Sequence, residues 1–359
     1  MNDFLDTGFT STWLREPLRQ TPAAEPYDAC AALGAEVCRN RFGEYVAARQ
    51  WYATPEPCDL DPETVDLLLH PPNARNHARL TRTYDPEQWL FLDTEATGFI
   101  GSGHLAFLIG LARWDSGGIQ VEQLFMRDPG EEYSMLLELA RRVRKRPVLV
   151  TFNGKSFDWP LLMSRFEMSR RIAPPRLHTH LDFLHPAREI WKFKIGSSKL
   201  GHLEEHVLGF ESLGWSRRED MDASQIPGVY FDYLSGRAQR MEYVFRHNRM
   251  DLRGLAALAI RILQMLVDND GSDASRYAAL EIYGLSRFFA RRKEHARARR
   301  CCERALQSGL PPDIAATAQC ELARYIKREL RLRRVRAMNS CEISPRRQGA
   351  RSPDASSRA

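Results

Sequence analysis

The sequence predicts an α/β protein: a mixed five-stranded sheet with flanking helices, followed by a small C-terminal helical region. Two observations support this fold class. Within residues 88–128, two apolar runs and one alternating segment are separated by glycine-containing turns, the pattern of a three-stranded meander. A helix-period segment, a short apolar strand and another helix follow directly, and such alternation is typical of layered α/β domains.

Each element of this prediction has a local physical reason. The meander strands are predicted from WLFLD, LAFLIGLARW and GIQVEQLFMRD. The next segment, EEYSMLLELARRVRKR, is predicted to be helical because Met135, Leu136, Leu139 and Val143 share one face. Its acids precede its bases, as the helix dipole favours. PVLVTF then predicts a buried strand, and a helix begins after the turn residues NGKS.

The rest of the chain suggests a four-part organisation. RFGEYVAARQWY predicts one or two strands near the N-terminus, and residues 238–268 predict one long helix. Alanine- and arginine-rich helices are predicted after residue 274. The expected parts are a poorly defined N-terminal region (1–87), an α/β domain (88–268), a helical segment (274–338) and a disordered tail (339–359).

Composition and charge restrict the function classes. The chain carries a net charge of +6, but the segment from Arg324 onward holds eleven Lys or Arg and three Asp or Glu, a local +8. The remaining residues therefore carry about −2, so the basic pI gives no argument for nucleic-acid binding. Seven cysteines form no C-x-x-C pair, and neither a secretion signal nor a membrane-length apolar run is present. We expect reduced thiols, a cytoplasmic location and no membrane contact.

Two carboxylates at the end of the first apolar run raise the main question. Asp93 and Glu95 are separated by one residue, so they share one face of the predicted strand. They would repel each other there, and burial would increase the cost. A surface Asp and Glu that happen to follow an apolar run would explain the pair without any function. Asp158, after the fourth strand, and Asp251, inside the apolar stripe of the long helix, favour a functional cluster.

Four carboxylates that converge need cations. Hard oxygen ligands select Mg²⁺ or Mn²⁺, and such a cluster supports phosphodiester cleavage with two metal ions. A zinc site in RLHTHLDFLH is a weaker alternative, because no second ligand cluster accompanies these histidines.

These motifs resemble the DEDD 3′–5′ exonucleases, which have an RNase H-like fold, and most closely the YprB-like branch of that superfamily. The resemblance spans about residues 88–265 and rests on FLDTEATGF, QLFMRDPGEE, LVTFNGKSFDWPLL, LGHLEEHVLGF, IPGVYFDYLSG and HNRMDL. It implies a metal-dependent 3′–5′ exonuclease that hydrolyses phosphodiester bonds of single-stranded nucleic acid, with 3′ ends as the partner. The alternative is a catalytically silent RNase H-like module that binds nucleic acid or protein.

The resemblance also implies roles for individual residues. Asp93 would bridge two Mg²⁺ or Mn²⁺ ions, Glu95 and Asp251 would hold the ion on the nucleophile side, and Asp158 would hold the other through water. The residues after the D-x-E motif would line the 3′-terminal nucleotide; these are Thr97, Gly98 and Phe99. The ring of Phe99 would lie against the base of that nucleotide.

Three further residues are candidates near this cluster. Asn153 is expected to cap the helix of Asp158 or to orient its neighbour, and Lys155 is within reach of a phosphate. His247 stands four residues before Asp251, where related enzymes place Tyr, so both side chains face one way on the helix. It is either a general base or a structural histidine that caps or hydrogen-bonds Asp251 or Asn248, and the sequence leaves both open.

The C-terminal helices resemble one 34-residue TPR unit and part of a second. One unit and a fragment cannot bury a solenoid core alone. We therefore expect this segment to pack on the α/β domain or on a protein partner.

Overall fold

The structure is a computed structural model that describes residues 34–54, 62–69, 81–98, 103–209, 214–237, 239–268 and 277–342. Phe99 lies outside the described residues. The strands are β1 (Ala35–Asn40), β2 (Gly43–Ala53), β3 (Trp89–Ala96), β4 (Ala106–Asp115), β5 (Gly118–Phe125), β6 (Val148–Thr151) and β7 (Thr179–Asp182). The α-helices are α1 (Pro62–Leu68), α2 (Glu132–Lys145), α3 (Asp158–Ser169), α4 (Leu184–Ile195), α5 (Leu200–Leu203), α6 (Ile226–Leu234), α7 (Met241–Val267), α8 (Ala279–Arg291), α9 (His295–Gln307) and α10 (Pro312–Glu342).

The strands form one mixed sheet in the order β1-β2-β5-β4-β3-β6-β7. β6 and β7 run parallel to β3, and the other neighbouring pairs are antiparallel. The predicted mixed sheet of the α/β domain is confirmed in β3–β7, and the fifth strand, which the sequence pattern did not locate, is β7. The strands predicted near the N-terminus extend the sheet to seven, because β2 pairs with β5 from Val46↔Phe125 to Ala53↔Gly118.

Helices cover both faces of this sheet. On one face, α2 buries Met135, Leu136, Leu139 and Val143, as predicted. Trp89 and Phe91 of β3 point to the other face and share a core with α4 and α7, whereas Leu90 and Leu92 pack on the α2 side. Because side chains alternate along a strand, Asp93 and Glu95 point to the same face as Phe91, the face that packs on α7.

The 27-residue helix α7 confirms the single long helix predicted for residues 238–268. No helix in the described ranges combines the length and the apolar character that a membrane crossing requires. The C-terminal helix α10 ends at Glu342, so it runs four residues into the segment expected to be disordered. The rest of that predicted tail lies outside the described residues.

The C-terminal helices pack against the α/β domain through α4 and α8. Trp191 Nε1 donates a hydrogen bond of 2.8 Å to Oε1 of Glu281, and Lys194 Nζ lies 3.1 Å from the same oxygen. Gly284 lets the two helices approach closely, since a Cβ at this position would lie 1.8 Å from the carbonyl oxygen of Ile190. The apolar faces of α8 and α9 join the core that α7 forms with the sheet.

We predict that Gly284→Ala lowers the free energy of unfolding by about 1–3 kcal/mol, because the new methyl group overpacks the contact between α4 and α8. Urea unfolding of the full chain measures this change. The matched control is Gly228→Ala on the exposed side of α6, where no atom lies within 4 Å of the new Cβ. That control should be neutral or slightly stabilising, since alanine is the better helix former. Equal effects of the two substitutions would contradict the proposed close packing.

Candidate active site

β3 brings Asp93 and Glu95 to the carboxyl end of the sheet. The parallel pairing with β6 ends at Phe91↔Val150, so β3 continues beyond its neighbour. On the other side, Asp93 stands opposite Gly110 and Glu95 opposite Leu108 of β4. Only 8% of Glu95 is exposed, and Asp93 is mostly buried. Both predicted carboxylates therefore lie in a crevice where one neighbouring strand has ended.

Asp158, the first residue of α3, is tied to β3 by the threonine between the two carboxylates. Oδ1 of Asp158 accepts hydrogen bonds from the backbone N–H of Thr94 at 3.1 Å and from its hydroxyl at 2.5 Å. Thr94 is a site residue that the sequence reasoning missed. Its position inside the D-x-E motif was the available signal.

The long helix α7 places Asn248 directly over Asp93. Nδ2 of Asn248 donates to Oδ2 of Asp93 at 2.8 Å, while Oδ1 of Asn248 accepts from Nε2 of Gln123 at 2.8 Å. Gly110 lies beneath this amide, and a Cβ there would lie 2.2 Å from Oδ1 of Asn248. Asn248 is fully buried. Gln123, Gly110 and Asp93 thus form a row across β5, β4 and β3 that Asn248 spans.

The electrostatics show that the predicted carboxylates have converged. Burial and repulsion from Asp251, Glu95 and Asp158 raise the pKa of Asp93 well above its ordinary value. Burial, opposed in part by His247, raises the pKa of Glu95 to about 8, with Asp251 and Asp158 adding to the rise. Burial also raises the pKa of Asp158 to about 6, against the hydrogen bonds from Thr94. The raised pKa values show that the protein's own cations do not neutralise these carboxylates.

His247 contacts two carboxylates. Its Nδ1 lies 2.9 Å from Oδ2 of Asp220, and its Nε2 lies 3.5 Å from Oδ2 of Asp251. Burial would lower the pKa of His247, but the hydrogen bond to Asp220 and the charges of Asp251 and Glu95 raise it to about 9. These contacts favour the protonated form of the imidazole, in which His247 is a counter-ion for Asp220 and Asp251.

Arg217 is the second cation of the site, and the sequence reasoning did not find it. Its guanidinium ion-pairs with Asp251, contacts Oδ2 of Asp220 at 2.9 Å and donates to Oε1 of Glu204 at 2.8 Å. Glu204 is fully buried and packs against Gly254 of α7, where a Cβ would lie 1.9 Å from its Oε1. Glu204 follows Leu203 in LGHLEEHVLGF, which is consistent with its burial, but no sequence signal indicated its partners.

A cavity of about 320 Å³ opens beside Glu95 and Asp158. Of the residues expected to bind substrate, Gly98 and Asn153 line it. The hydroxyl of Thr97 instead accepts a hydrogen bond of 2.9 Å from Leu105 N. Phe157 also lines the cavity and is 44% exposed, although the sequence reasoning gave it no role. The volume is within the range of small-ligand pockets.

Asp182 holds the loop that precedes Asp158. Its carboxylate accepts hydrogen bonds from the backbone N–H groups of Asn153 at 2.7 Å and Lys155 at 3.0 Å. Asn153 has a positive φ of 68°. The expected helix cap by Asn153 is wrong, because Phe157 precedes the first residue of α3 and no side chain caps that helix. Lys155 is exposed and does not line the cavity.

The donor set fits divalent metal ions in its chemistry. Four carboxylates from three elements face one site, and their mutual repulsion favours bound cations. Within the described part of the chain, no group of three or more His, Cys, Asp or Glu is already arranged to hold a metal ion. Asp158, Asp93 and Asp251 are instead hydrogen-bonded to Thr94, Asn248 and Arg217 respectively.

The histidine segment considered as a zinc site has a structural role in β7. His180 Nε2 lies 2.9 Å from the hydroxyl of Thr151. Burial and the nearby charge of Lys155 lower the pKa of His180 to about 4, so its ring is neutral at physiological pH.

We predict that Arg217→Gln lowers the free energy of unfolding by about 3–5 kcal/mol in EDTA, because Glu204 would be left buried without its counter-ion. Urea unfolding at neutral pH measures the loss. Arg218→Gln, the exposed neighbour, is the control and should change the free energy by less than about 0.5 kcal/mol. The double variant Arg217→Gln/Glu204→Gln should recover much of the loss. A single variant as stable as the unmodified protein would show that Glu204 does not depend on Arg217.

Comparison with known proteins agrees with this architecture. Residues 90–263 match the family model RNase_H_2, described as "RNase_H superfamily". Over 269 residues the chain is also 29% identical to a Bacillus subtilis (strain 168) protein with the description "Uncharacterized protein YprB". The alignment covers 74% of this chain and 62% of that protein, so the chain spans less than two thirds of its relative's length. The matched segment extends from the second residue of β3 into the last part of α7. Its mixed sheet with flanking helices fits an RNase H-like fold.

Proposed function

We propose that this protein is a metal-dependent 3′–5′ exonuclease that removes nucleotides from single-stranded nucleic acid by a two-metal mechanism. One observation carries the proposal: four carboxylates from β3, α3 and α7 repel one another in a single crevice beside a nucleotide-sized cavity. A fold alone would not require such a costly arrangement. The RNase H-like domain supports a nuclease as the class of enzyme.

Asp93, Glu95, Asp158 and Asp251 are the residues that would hold two Mg²⁺ or Mn²⁺ ions. Asn248 contacts Oδ2 of Asp93 and Thr94 contacts Oδ1 of Asp158, so the second oxygen of each carboxylate can bind a cation. When bound, the ions supply Lewis acidity that activates the attacking water and stabilises the leaving oxygen. Arg217 would have to release Asp251 while it keeps its contacts with Glu204 and Asp220. The N–H group released from Asp251 would then suit a non-bridging oxygen of a phosphate.

The other residues of the site orient the substrate and protons. Asn248 fixes the carboxylate of Asp93, and Asp220 fixes the ring of His247. The contacts of His247 with Asp220 and Asp251 favour its protonated form and support a charge-stabilising and positioning role. A general-base role requires that the negative charge of Asp251 and Glu95 first be neutralised. Gly98 and Asn153 would form the wall of the nucleotide cavity, and Phe157 would stack on the terminal base.

We predict that a 5′-labelled single strand, DNA or RNA, is shortened one nucleotide at a time in Mg²⁺ or Mn²⁺. Asp93→Asn should reduce this activity below detection, because it removes the ligand proposed to serve both ions. Asp232→Asn, at an exposed carboxylate of α6, is the control and should keep full activity. Gel electrophoresis of the labelled products measures both. Internal cuts, or immediate release of the 5′-terminal nucleotide, would contradict the direction.

We predict that Phe157→Ala weakens binding of a single-stranded 3′ end roughly tenfold, since base–aromatic stacking contributes about 1–3 kcal/mol per base. The KM for a short labelled strand measures this effect, while kcat should change little. Phe231→Ala is the matched control, because Phe231 on α6 is similarly exposed, 52% against 44% for Phe157, but does not line the cavity. If Phe157→Ala and the unmodified protein have the same KM, Phe157 does not contribute to substrate binding.

A catalytically silent RNase H-like binding module is the second candidate function. The ion pair between Arg217 and Asp251 favours it, because a guanidinium already neutralises one of the proposed metal ligands. Exposed Leu330 and Leu332 on α10 would then offer a surface to a protein partner of the TPR-like segment. Calorimetry with Mn²⁺ separates the candidates: heat of binding that Asp93→Asn removes supports the enzyme, and no binding supports the silent module.

A further inference from the structure

A second cavity, of about 790 Å³, lies between the sheet and the carboxyl end of α2. Seven of its lining residues are Arg or Lys and two are Glu, an excess of five positive charges. β2 supplies Arg49 and β4 supplies Arg113. The other five come from the carboxyl end of α2 and the residue after it: Arg141, Arg142, Arg144, Lys145 and Arg146. We call this the arginine cavity.

Helix electrostatics and ion pairs explain only part of this charge. Cations in the last turn of α2 complement the helix dipole. Glu122 pairs with Arg49 at 2.9 Å and with Arg142 at 2.8 Å, so two of the guanidinium groups share one carboxylate. The helix dipole explains neither Arg113, which comes from a strand, nor Arg146, which follows the helix, and Glu122 pairs with neither of them. These two cations need another explanation.

Arg113 and Arg146 bring like charges together in the cavity. The Nε of Arg146 is buried and has no hydrogen-bond partner in the described part of the chain. Burial, and then repulsion from Arg113, lower the pKa of Arg146. Arg113 has an ion pair of 3.3 Å with Asp115, which is itself 36% exposed. A buried donor without an acceptor is costly, and a bound anion would remove that cost.

The arginine cavity is distinct from the candidate active site. Its floor includes Leu90 and Leu111, and both side chains face the α2 side of the sheet. Asp93 lies three residues further along the same strand, and its side chain meets Asn248 from the α7 side. The two sites therefore use opposite faces of the sheet.

We propose that the arginine cavity binds the phosphate groups of a nucleic-acid strand or a free nucleotide, with Arg113 and Arg146 as the principal contacts. Guanidinium groups match phosphate oxygens with paired N–H donors. This site does not require the catalytic cluster to be active.

The test measures binding to the full chain in EDTA, where the metal-dependent reaction is absent. Calorimetry is done with inorganic pyrophosphate and with ATP, and fluorescence anisotropy with a short labelled single strand. Arg113→Gln/Arg146→Gln should weaken binding of at least one probe by about tenfold to a hundredfold, the range for hydrogen bonds between charged partners. Arg113→Lys/Arg146→Lys should retain part of the affinity, because it keeps the charge and loses the paired donors.

The control is Arg39→Gln/Arg237→Gln, which removes the same charge from two exposed positions outside the cavity. It should change each affinity by less than about twofold, because exposed charges are screened by salt. If the double variant loses affinity only for the labelled strand, the cavity binds nucleic acid. The slope of log K against log salt concentration should then be smaller by about 0.7 for each lost phosphate contact. A loss for pyrophosphate and ATP alone assigns it to a free nucleotide. Unchanged affinity for all three probes, or an equal loss in the control, overturns the proposal.

Discussion

The burial of two carboxylates at the end of β3 is the constraint on which the rest of the site depends. Asp93 and Glu95 stand on one face of a strand, in a crevice where they repel each other and lose water. The chain compensates with a donor amide, an imidazolium and a guanidinium, supplied by Asn248, His247 and Arg217. Two of these come from one helix, so the position of α7 on the sheet determines the electrostatic state of the site.

The sheet holds α7 in this position through a chain of buried hydrogen bonds. Gln123 on β5 donates to Asn248 and also to the carbonyl oxygen of Phe245, and Asn248 donates to Asp93. Gly110 provides the space for this contact. Because Gln123 and Asn248 are fully buried and Asp93 is mostly buried, a shift of α7 by one residue would leave several polar atoms without partners. The same contacts thus fix both the packing of the helix and the orientation of Asp93.

The sequence was sufficient to predict which residues share a face of a strand or helix, because the side chains of these elements repeat with a fixed period. Alternation along a strand placed Asp93 and Glu95 on one face, and i, i+4 spacing placed His247 with Asp251. The strands of the meander and the single long helix followed from apolar patterns. Contacts between distant segments could not be derived in this way. Arg217 and Glu204 meet Asp251 only after three separate segments fold together, and nothing in their local spacing indicates this network.

The overall charge of the chain conceals a separation of charge across the sheet. The acidic cluster faces α7 on one side, and the arginine cavity lies against α2 on the other. Their charges largely cancel in the sum, which is why a near-neutral body gave no argument for an anionic partner. At salt concentrations where the Debye length is about 10 Å, each site acts mainly on ligands that enter it. Local charge in a defined cavity, rather than the isoelectric point, is therefore the relevant quantity for phosphate recognition in this protein.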